Sequence, residues 1–185
     1  IPRNIYGLSE KIFNEIFKSG LSNLLIVGPP SSGKTTILKD LIYNLSSGKN
    51  GHFYKVCVVD ERKELVPSTS DLHTVGPNTD ILSGFPKSKG ISMAVRTLSP
   101  DIIICDEISI NEIDSVLNVV NCGVSFVFTI HAKNYKELNA NIMFQRMKKI
   151  SCVDYVALLK NCNEPGVIKN IIKVNGELDE KLFNC

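Results

Sequence analysis

The stretch of sequence that decides the fold reads Gly28-Pro29-Pro30-Ser31-Ser32-Gly33-Lys34-Thr35. It fits the pattern G-x-x-x-x-G-K-[ST] at every fixed position, and it lies between an apolar run at 24–27 and a helical pattern that begins at Thr36. In such a loop, glycines let successive backbone N–H groups converge on a phosphate, and the N-terminus of the following helix adds positive potential. The stretch therefore predicts a nucleotide phosphate site.

We expect the whole loop to bind the nucleotide. Its residues are Gly28, Pro29, Pro30, Ser31, Ser32, Gly33, Lys34, Thr35 and Thr36. Lys34 is expected to reach the β- and γ-phosphates, and the Thr35 hydroxyl to bind Mg²⁺, a hard cation that prefers oxygen ligands. The predicted ligands are ATP and Mg²⁺. The Asn/Thr-Lys-x-Asp signature of guanine recognition is absent, but the sequence does not distinguish ATP from GTP by base contacts.

Length and charge narrow the class of protein. The chain has 185 residues, 43% of them hydrophobic, and a formal net charge of +2. These values indicate one globular domain, and the charge is too small for a dedicated nucleic-acid-binding protein. No apolar run approaches the ~18 residues that cross a bilayer, so we predict a cytoplasmic protein without a transmembrane segment. Because the first residue is Ile1 rather than Met, we also expect a domain cut from a longer protein.

The six cysteines are widely scattered, and none forms a C-x-x-C pair, so the sequence gives no indication of a zinc site. Cys57 and Cys105 lie inside apolar runs typical of buried strands, where a free cysteine behaves as a small hydrophobic side chain. This pattern favours a reducing compartment.

Strand and helix patterns alternate along the chain. Strands are predicted at 24–27, 55–60, 102–105, 124–130, 155–159 and 167–174, and helices at 6–18, 36–45, 91–98, 110–120 and 135–149. The segment 61–90 is rich in Pro and Gly and is predicted to be a loop region. The alternation indicates an α/β fold of the P-loop NTPase (RecA/AAA-like) type. We expect a parallel sheet flanked by helices, ligands at the carboxyl ends of its strands, and a C-terminal β-hairpin.

Two predicted strands end in adjacent acidic residues. The apolar run 102–105 is followed by Asp106 and Glu107, which is the form of a Walker B strand. Asp106 is predicted to organise the Mg²⁺ shell and Glu107 to polarise the attacking water. A second strand ends in Asp60 and Glu61, so Glu61 competes with Glu107 as the general base. An ordinary acidic turn is the structural alternative for either pair.

Three further side chains are candidates for the reaction. The chain has few arginines, and Arg62 and Arg96 are the two that could stabilise charge developing on the γ-phosphate, if they are not simply surface ion pairs. His131 follows the strand predicted at 124–130, at the edge where ligands are expected. A histidine there is predicted to hydrogen-bond a phosphate or the catalytic water.

Several segments in this order resemble a known superfamily. They are Gly28 to Thr36, Val59-Asp60-Glu61-Arg62-Lys63-Glu64, Gly84-Phe85-Pro86-Lys87-Ser88-Lys89-Gly90, Arg96-Thr97-Leu98-Ser99-Pro100-Asp101, Asp101 to Glu107 and Thr129-Ile130-His131-Ala132. Together they resemble the additional-strand, ring-forming ATPases of secretion and type IV pilus machines, and within that superfamily a sporulation ATPase. The resemblance spans residues 1–174.

The resemblance implies roles for particular residues. Glu61 and Arg62 correspond to the family's aspartate box, Asp106 and Glu107 to its Walker B strand, and His131 to its histidine box. Secretion ATPases usually carry glycine at the position of Asp106, which brings this chain closer to the sporulation branch. The resemblance further implies a single P-loop ATPase domain at 1–185, the C-terminal part of a longer protein whose N-terminal domain is absent.

The same resemblance implies a cellular role. A homo-oligomeric, hexameric ring would work from the mother-cell cytoplasm and meet the inner face of the membrane through membrane-embedded partners. There it would power or assemble the channel between mother cell and forespore during endospore formation.

Other functions share the same motifs. A structural assembly module would bind ATP and barely hydrolyse it, although the two carboxylate pairs argue against this. A small-molecule or nucleotide kinase would close an arginine-rich lid over its phosphates, and four arginines in 185 residues supply such a lid poorly. A motor driven by DNA or RNA would need a basic stripe, which the sequence lacks.

Overall fold

The structure is a computed structural model that describes residues 7–49, 51–66, 68 and 74–174. Within these residues the chain forms a seven-stranded sheet with the strand order β3-β2-β4-β5-β1-β6-β7. The strands are β1 (Leu24–Gly28), β2 (Val56–Asp60), β3 (Thr79–Ser83), β4 (Ile102–Cys105), β5 (Ser125–His131), β6 (Tyr155–Leu159) and β7 (Ile168–Lys173). All neighbouring strands pair in parallel except β6 and β7, which form an antiparallel hairpin.

Helices lie before β1 and between several of the strands. The helices are α1 (Glu10–Ile12), α2 (Lys34–Ser46), α3 (Lys87–Met93), α4 (Ile113–Asn121), α5 (Tyr135–Ala140) and α6 (Ile142–Lys149). Helix α1 continues as a π-helical segment at Phe13–Phe17, and α3 continues as a π-helical segment at Ala94–Leu98. A 3-10 turn at Ile110–Glu112 precedes α4. No helix in the described part of the chain is both long enough and apolar enough to cross a membrane.

Alternate residues of each central strand pack into two different cores, because successive side chains of a strand point to opposite faces. In β1, Leu25 and Val27 belong to a core that includes side chains of α3, α4 and α6. Leu24 and Ile26 belong to a second core, formed with α1 and α2. The sheet is therefore buried on both faces, and the predicted α/β fold, with a helix-flanked parallel sheet and a closing hairpin, is confirmed.

The structure adds one strand that the sequence did not reveal. The segment 61–90, predicted to be a loop region, contains β3, which pairs with β2 at the edge of the sheet. Every residue of β3 is only partly buried, and the turn residues Gly76, Pro77 and Gly84 lie close to its two ends. Its apolar signal is therefore too weak to detect among the Pro and Gly residues around it.

Helix boundaries also differ from the predictions. The helix predicted to begin at Ile91 begins at Lys87 and contains Gly90. Glycine is needed at this position because the helix packs closely on β2, and an added Cβ would come within 2.6 Å of Val59 Cγ1. The helix predicted at 135–149 is two helices, since Asn141 leaves helical geometry and its side chain accepts a hydrogen bond from Phe144 N at 3.1 Å. The helix predicted at 6–18 covers 10–17, and its first predicted residue lies outside the described part of the chain.

A buried carboxylate ties the start of the described chain to α2. Asp40 accepts hydrogen bonds from Gly7 N at 3.1 Å, from Ser9 N at 2.7 Å and from Ser9 Oγ at 2.7 Å. Asp40 is 2% exposed and Ser9 is fully buried, so water cannot replace the carboxylate as the acceptor for the two Ser9 donors. The contacts hold α1 on the face of the sheet that also carries α2.

We expect Asp40→Ala to lower the free energy of unfolding by about 3 kcal/mol, because it leaves buried donors without an acceptor. Urea denaturation followed by circular dichroism measures the change. Asp114→Ala is the matched control, since Asp114 is an exposed carboxylate in the first turn of α4 and its loss should cost less than about 1 kcal/mol. Equal losses in the two variants would contradict the assigned role of Asp40.

The cysteines of the described residues fall into two classes. Cys57, Cys105 and Cys152 are buried, and burial raises the pKa of the first two thiols to about 12 and that of Cys152 to about 11. Cys122 and Cys162 are exposed. The prediction that Cys57 and Cys105 lie in buried strands is confirmed.

Alkylation of the native protein with iodoacetamide at pH 8 should therefore modify Cys122 and Cys162 and leave Cys57, Cys105 and Cys152 largely intact, since the thiolate is the reacting species. Peptide mass spectrometry reads out each site. Repeating the reaction in urea should remove the difference, and rapid labelling of Cys105 in the folded protein would show that β4 is not buried as described.

Candidate functional site

The predicted site residues converge at one edge of the sheet. The phosphate loop follows β1, and Gly28 at the end of β1 lies opposite His131 in β5. Asp106 and Glu107 follow β4, which lies beside β5 on one side and beside β2 on the other. Because these strands are parallel, their carboxyl ends meet, and side chains distant in sequence share one cleft.

The backbone of the loop has the shape that a phosphate cradle requires. Gly33 has a φ of 92°, in the left-handed region, and a Cβ on Gly33 would lie 2.5 Å from Gly166 N. A Cβ on Gly28 would lie 2.5 Å from Ser32 Oγ. Gly33 is also the N-cap of α2, so no side chain accepts from the first-turn N–H groups of that helix. These features fit an anion held at the helix N-terminus.

Lys34 lies under the loop and is hydrogen-bonded at three points. Its Nζ donates to Gly28 O at 3.0 Å, to Pro29 O at 2.8 Å and to His131 Nδ1 at 2.9 Å. A ring nitrogen that accepts a hydrogen bond carries no proton, so a neutral His131 in this arrangement has its proton on Nε2. The two residues form a direct bridge between the ends of β1 and β5.

Burial lowers the pKa of Lys34 from its usual value, while the nearby carboxylates of Asp106 and Glu107 act in the opposite direction. A buried ammonium group is stabilised by any further negative charge placed beside it. The electrostatics of this lysine therefore suit a phosphate group.

Asp106 is the junction of the site. Its Oδ2 accepts a hydrogen bond from Thr35 Oγ1 at 2.8 Å, and its Oδ1 accepts from Thr129 Oγ1 at 2.8 Å and from Glu107 N at 3.0 Å. The hydroxyl and the carboxylate that were predicted to bind Mg²⁺ are thus adjacent. An oxygen pair of this kind is the donor set that Mg²⁺ prefers, so these residues fit that ion.

Glu107 adopts an unusual backbone conformation for a non-glycine residue, with a φ of 36°. The conformation is held by hydrogen bonds from Glu107 N to Asp106 Oδ1 and to Thr129 Oγ1, and by Lys87 Nζ, which donates to the Glu107 carbonyl. The side chain, 43% exposed, reaches into the cleft, where Oε1 lies 3.5 Å from His131 Nε2. Local strain held by surrounding contacts is characteristic of functional positions.

The end of β2 supplies one buried and two exposed charged side chains. Asp60 is buried and accepts hydrogen bonds from the three N–H groups of residues 64–66, so its carboxylate folds the chain after β2. Glu61 is exposed and lines a small hollow beside Glu107. Arg62 is also exposed, and its Nη1 lies 3.9 Å from Glu107 Oε2. Glu61 and Arg62 thus lie on the same side of the sheet as Glu107 and close to its side chain.

Arg96 lies at the opposite end of the molecule. Helix α3 begins at the carboxyl edge of the sheet, where Lys87 Nζ donates to the Glu107 carbonyl. The π-helical segment that continues α3 ends at the amino edge, where the Leu98 carbonyl accepts a hydrogen bond from Nζ of Lys55, the residue before β2. Arg96 is therefore near the amino edge, and it does not line the cleft of its own chain as far as the described residues show. The structure does not bring Arg96 together with the other candidates.

The cleft encloses about 550 Å³, within the range of small-molecule sites. Its lining residues are Pro30, Ser31, Ser32, Gly33, Lys34, Thr35, Thr36, Glu64, Asp106, Glu107, His131, Cys162 and Pro165. Seven of the nine predicted loop residues thus face it, while the carbonyls of Gly28 and Pro29 hold Lys34.

Sequence reasoning did not assign a role to several residues of the site. Thr129 and Lys87 lie in segments that carried the family resemblance, and membership in those segments was the only feature of the sequence that could have marked them as site residues. Cys162, Pro165 and Gly166 belong to the turn between β6 and β7, and an ordinary hairpin turn has the same composition. Only the folded chain brings that turn to the phosphate loop.

Comparison of the structure with solved structures identifies similar folds. The chain superposes on the ATPase DotB of Legionella pneumophila with a TM-score of 0.66 and 19% identity, over 86% of this chain and 48% of that one. It superposes on the VirB11 ATPase of the Brucella suis type IV secretion system, solved with sulphate, with a TM-score of 0.59 and 15% identity, over 94% and 60% of the two chains. At these identities the likeness concerns the fold.

Comparison of the sequence is more specific. The chain is 30% identical over 182 residues to Stage III sporulation protein AA of Bacillus subtilis (strain 168), which covers 96% of this chain and 59% of that relative. The chain thus spans under two thirds of the relative's length. Residues 1–178 match the family described as Sporulation stage III, protein AA. The chain belongs to the sporulation stage III protein AA family, with the fold of P-loop secretion ATPases.

Proposed function

We propose that this protein binds Mg²⁺ and ATP in the cleft at the carboxyl edge of the sheet and hydrolyses the ATP. The observation that carries the proposal is the contact between Thr35 Oγ1 and Asp106 Oδ2 at 2.8 Å, directly beside Lys34 and the glycine-shaped loop. A phosphate cradle, a lysine and an Mg²⁺ ligand pair in one cleft are the parts that phosphoryl transfer from a nucleotide requires.

Binding of the phosphates is the task of the loop. Residues 28–36 would surround the phosphates with backbone N–H groups, and Lys34 would exchange its loop carbonyl partners for phosphate oxygens. Thr35 and Asp106 would hold Mg²⁺, which neutralises phosphate charge when it is bound. Thr129 keeps the Asp106 carboxylate oriented through its hydrogen bond to Oδ1.

Hydrolysis requires a base that orients water, and Glu107 is the better placed of the two candidates. It projects into the cleft from a backbone held by three neighbouring groups, and it lies between His131 Nε2 and Arg62 Nη1. Glu61 lines the adjacent hollow and remains the alternative base. His131 would sense the phosphate through Lys34, and Arg62 would offset charge that develops on the γ-phosphate.

Family membership supports a proposal for the cellular setting. We infer a homohexameric ring in the mother-cell cytoplasm that meets the membrane through embedded partners and drives or assembles the channel to the forespore. The match to a sporulation family and the likeness to secretion ATPase folds support this role. In that setting the chain would be a single ATPase domain of a longer protein, and Arg96, at the amino edge, would be available to a neighbouring subunit.

Lys34→Ala in the full-length protein should weaken Mg·ATP binding by about a hundredfold, because it removes charge-assisted hydrogen bonds to the phosphates. Isothermal titration calorimetry measures the affinity. Lys39→Ala, one turn further along α2 and outside the cleft lining, is the control and should bind normally. Unchanged binding by the Lys34 variant would end the proposal.

Glu107→Gln should lower the turnover number by about a hundredfold or more and leave the dissociation constant for ATP nearly unchanged, since the amide keeps the shape and loses the base. Glu61→Gln tests the alternative, and Glu15→Gln, an exposed position on α1, is the control. A larger loss in Glu61→Gln would make Glu61 the base. Nucleotide-driven assembly of the wild-type protein without turnover would indicate the scaffold function instead.

A further inference from the structure

The turn that joins β6 to β7 lies against the phosphate loop. Gly166 N donates a hydrogen bond to Ser32 O at 2.8 Å. The two backbones touch so closely that a Cβ on Gly33 would lie 2.5 Å from Gly166 N and 3.0 Å from Gly166 Cα. We call residues 161–166 the β6–β7 turn.

The hydrogen bond from Gly166 N to Ser32 O fixes the orientation of the peptide unit between Ser32 and Gly33. The peptide bond between Ser32 and Gly33 is trans, so its carbonyl and its N–H point in opposite directions. With the Ser32 carbonyl held toward the β6–β7 turn, the Gly33 N–H is directed away from Gly166. Gly166 thus orients the Gly33 N–H, one of the loop groups that would donate a hydrogen bond to a phosphate.

The β6–β7 turn is itself well ordered by internal contacts. Lys160 N donates to Val167 O at 2.9 Å, Glu164 N donates to Asn161 O at 3.2 Å, and Asn163 N donates to Asn161 Oδ1 at 3.1 Å. A turn held in this way can act as a fixed support for the phosphate loop.

Strand order indicates which part of a nucleotide the turn faces. The groups proposed to act on the γ-phosphate, Asp106, Glu107 and His131, come from β4 and β5, on one side of β1. The β6–β7 turn lies on the other side of β1, where Cys162 and Pro165 line the same cleft. A nucleotide that lies along this cleft with its γ-phosphate toward β4 has its ribose and base on the side of β6.

We propose that the β6–β7 turn is a second element of the nucleotide site. Gly166 is a positioning residue that orients the phosphate loop, and the segment with Cys162 and Pro165 covers the ribose and base. The inference rests on the proposed binding of ATP, and it adds the placement of the nucleotide and the element that contacts its non-phosphate part.

Cys162 provides a direct test, with Cys122 as an internal control on the other edge of the sheet. Wild-type full-length protein is alkylated with iodoacetamide alone, with Mg²⁺ and a non-hydrolysable ATP analogue, or with Mg²⁺ and inorganic triphosphate. We expect the nucleotide to slow modification of Cys162 several-fold, triphosphate to slow it less, and neither to alter Cys122. Equal rates at Cys162 with and without bound analogue would overturn the proposal.

Substitution of Gly166 tests the positioning role. Gly166 has a φ of 83°, a backbone conformation that strains residues with a Cβ, so Gly166→Ala should strain the turn and displace its N–H group, while the added Cβ would meet Leu8 at an ordinary contact distance of 3.4 Å. The control is Gly123→Ala, at a similar φ of 72° with nothing within 4 Å of the added Cβ. Both variants should lose similar stability, and only Gly166→Ala should weaken nucleotide binding, by about tenfold.

Calorimetry on the wild-type protein separates this inference from the function on which it rests. Absence of ATP binding by the wild type would overturn the proposed function and the inference together. Normal ATP binding with an unprotected Cys162, or equal affinities in Gly166→Ala and Gly123→Ala, would overturn the role of the turn and leave the proposed ATPase function standing.

Discussion

The Asp106 carboxylate is the contact on which the arrangement of the site depends. It receives hydrogen bonds from Thr35 after β1, from Thr129 in β5 and from Glu107 N after β4. Three strand ends are thereby held in one geometry by a single acceptor group. Charge-assisted hydrogen bonds of this length are strong in a partly buried site, so the loop, the carboxylate pair and β5 act as one unit.

The same unit explains how charged groups can be concentrated without losing the fold. Lys34 bridges to His131, the opposite ring nitrogen of His131 faces Glu107, and Glu107 in turn lies near Arg62. The buried Lys34 and the exposed Arg62 thus have the Glu107 carboxylate between them, and this negative charge favours the charged form of the buried lysine. A phosphate chain bound in the cleft would lie beside this existing arrangement of charges.

Much of the fold and part of the site were predictable from local patterns. The glycine-rich loop, the acidic strand ends and the alternation of strands and helices are signals that extend over a few adjacent residues, and in the structure the loop follows β1 and the acidic pairs lie at the ends of β2 and β4. Edge strand β3 was missed because it is half-exposed and surrounded by Pro and Gly, and the break at Asn141 was missed because the apolar periodicity continues through it. Such features depend on what packs against a segment, which its own sequence does not encode.

The sequence by itself determined the residue types and their order: a lysine and a threonine after one buried strand, two carboxylates after another and a histidine after a third. Only the tertiary structure decided which of them meet. Asp60 folds its own loop, Arg96 lies at the far edge, and Gly166 supports the phosphate loop from a turn more than a hundred positions away in the chain. The physical reason is that strand order and sheet register are set by long-range packing, while a motif reports only the chemistry of its own few residues.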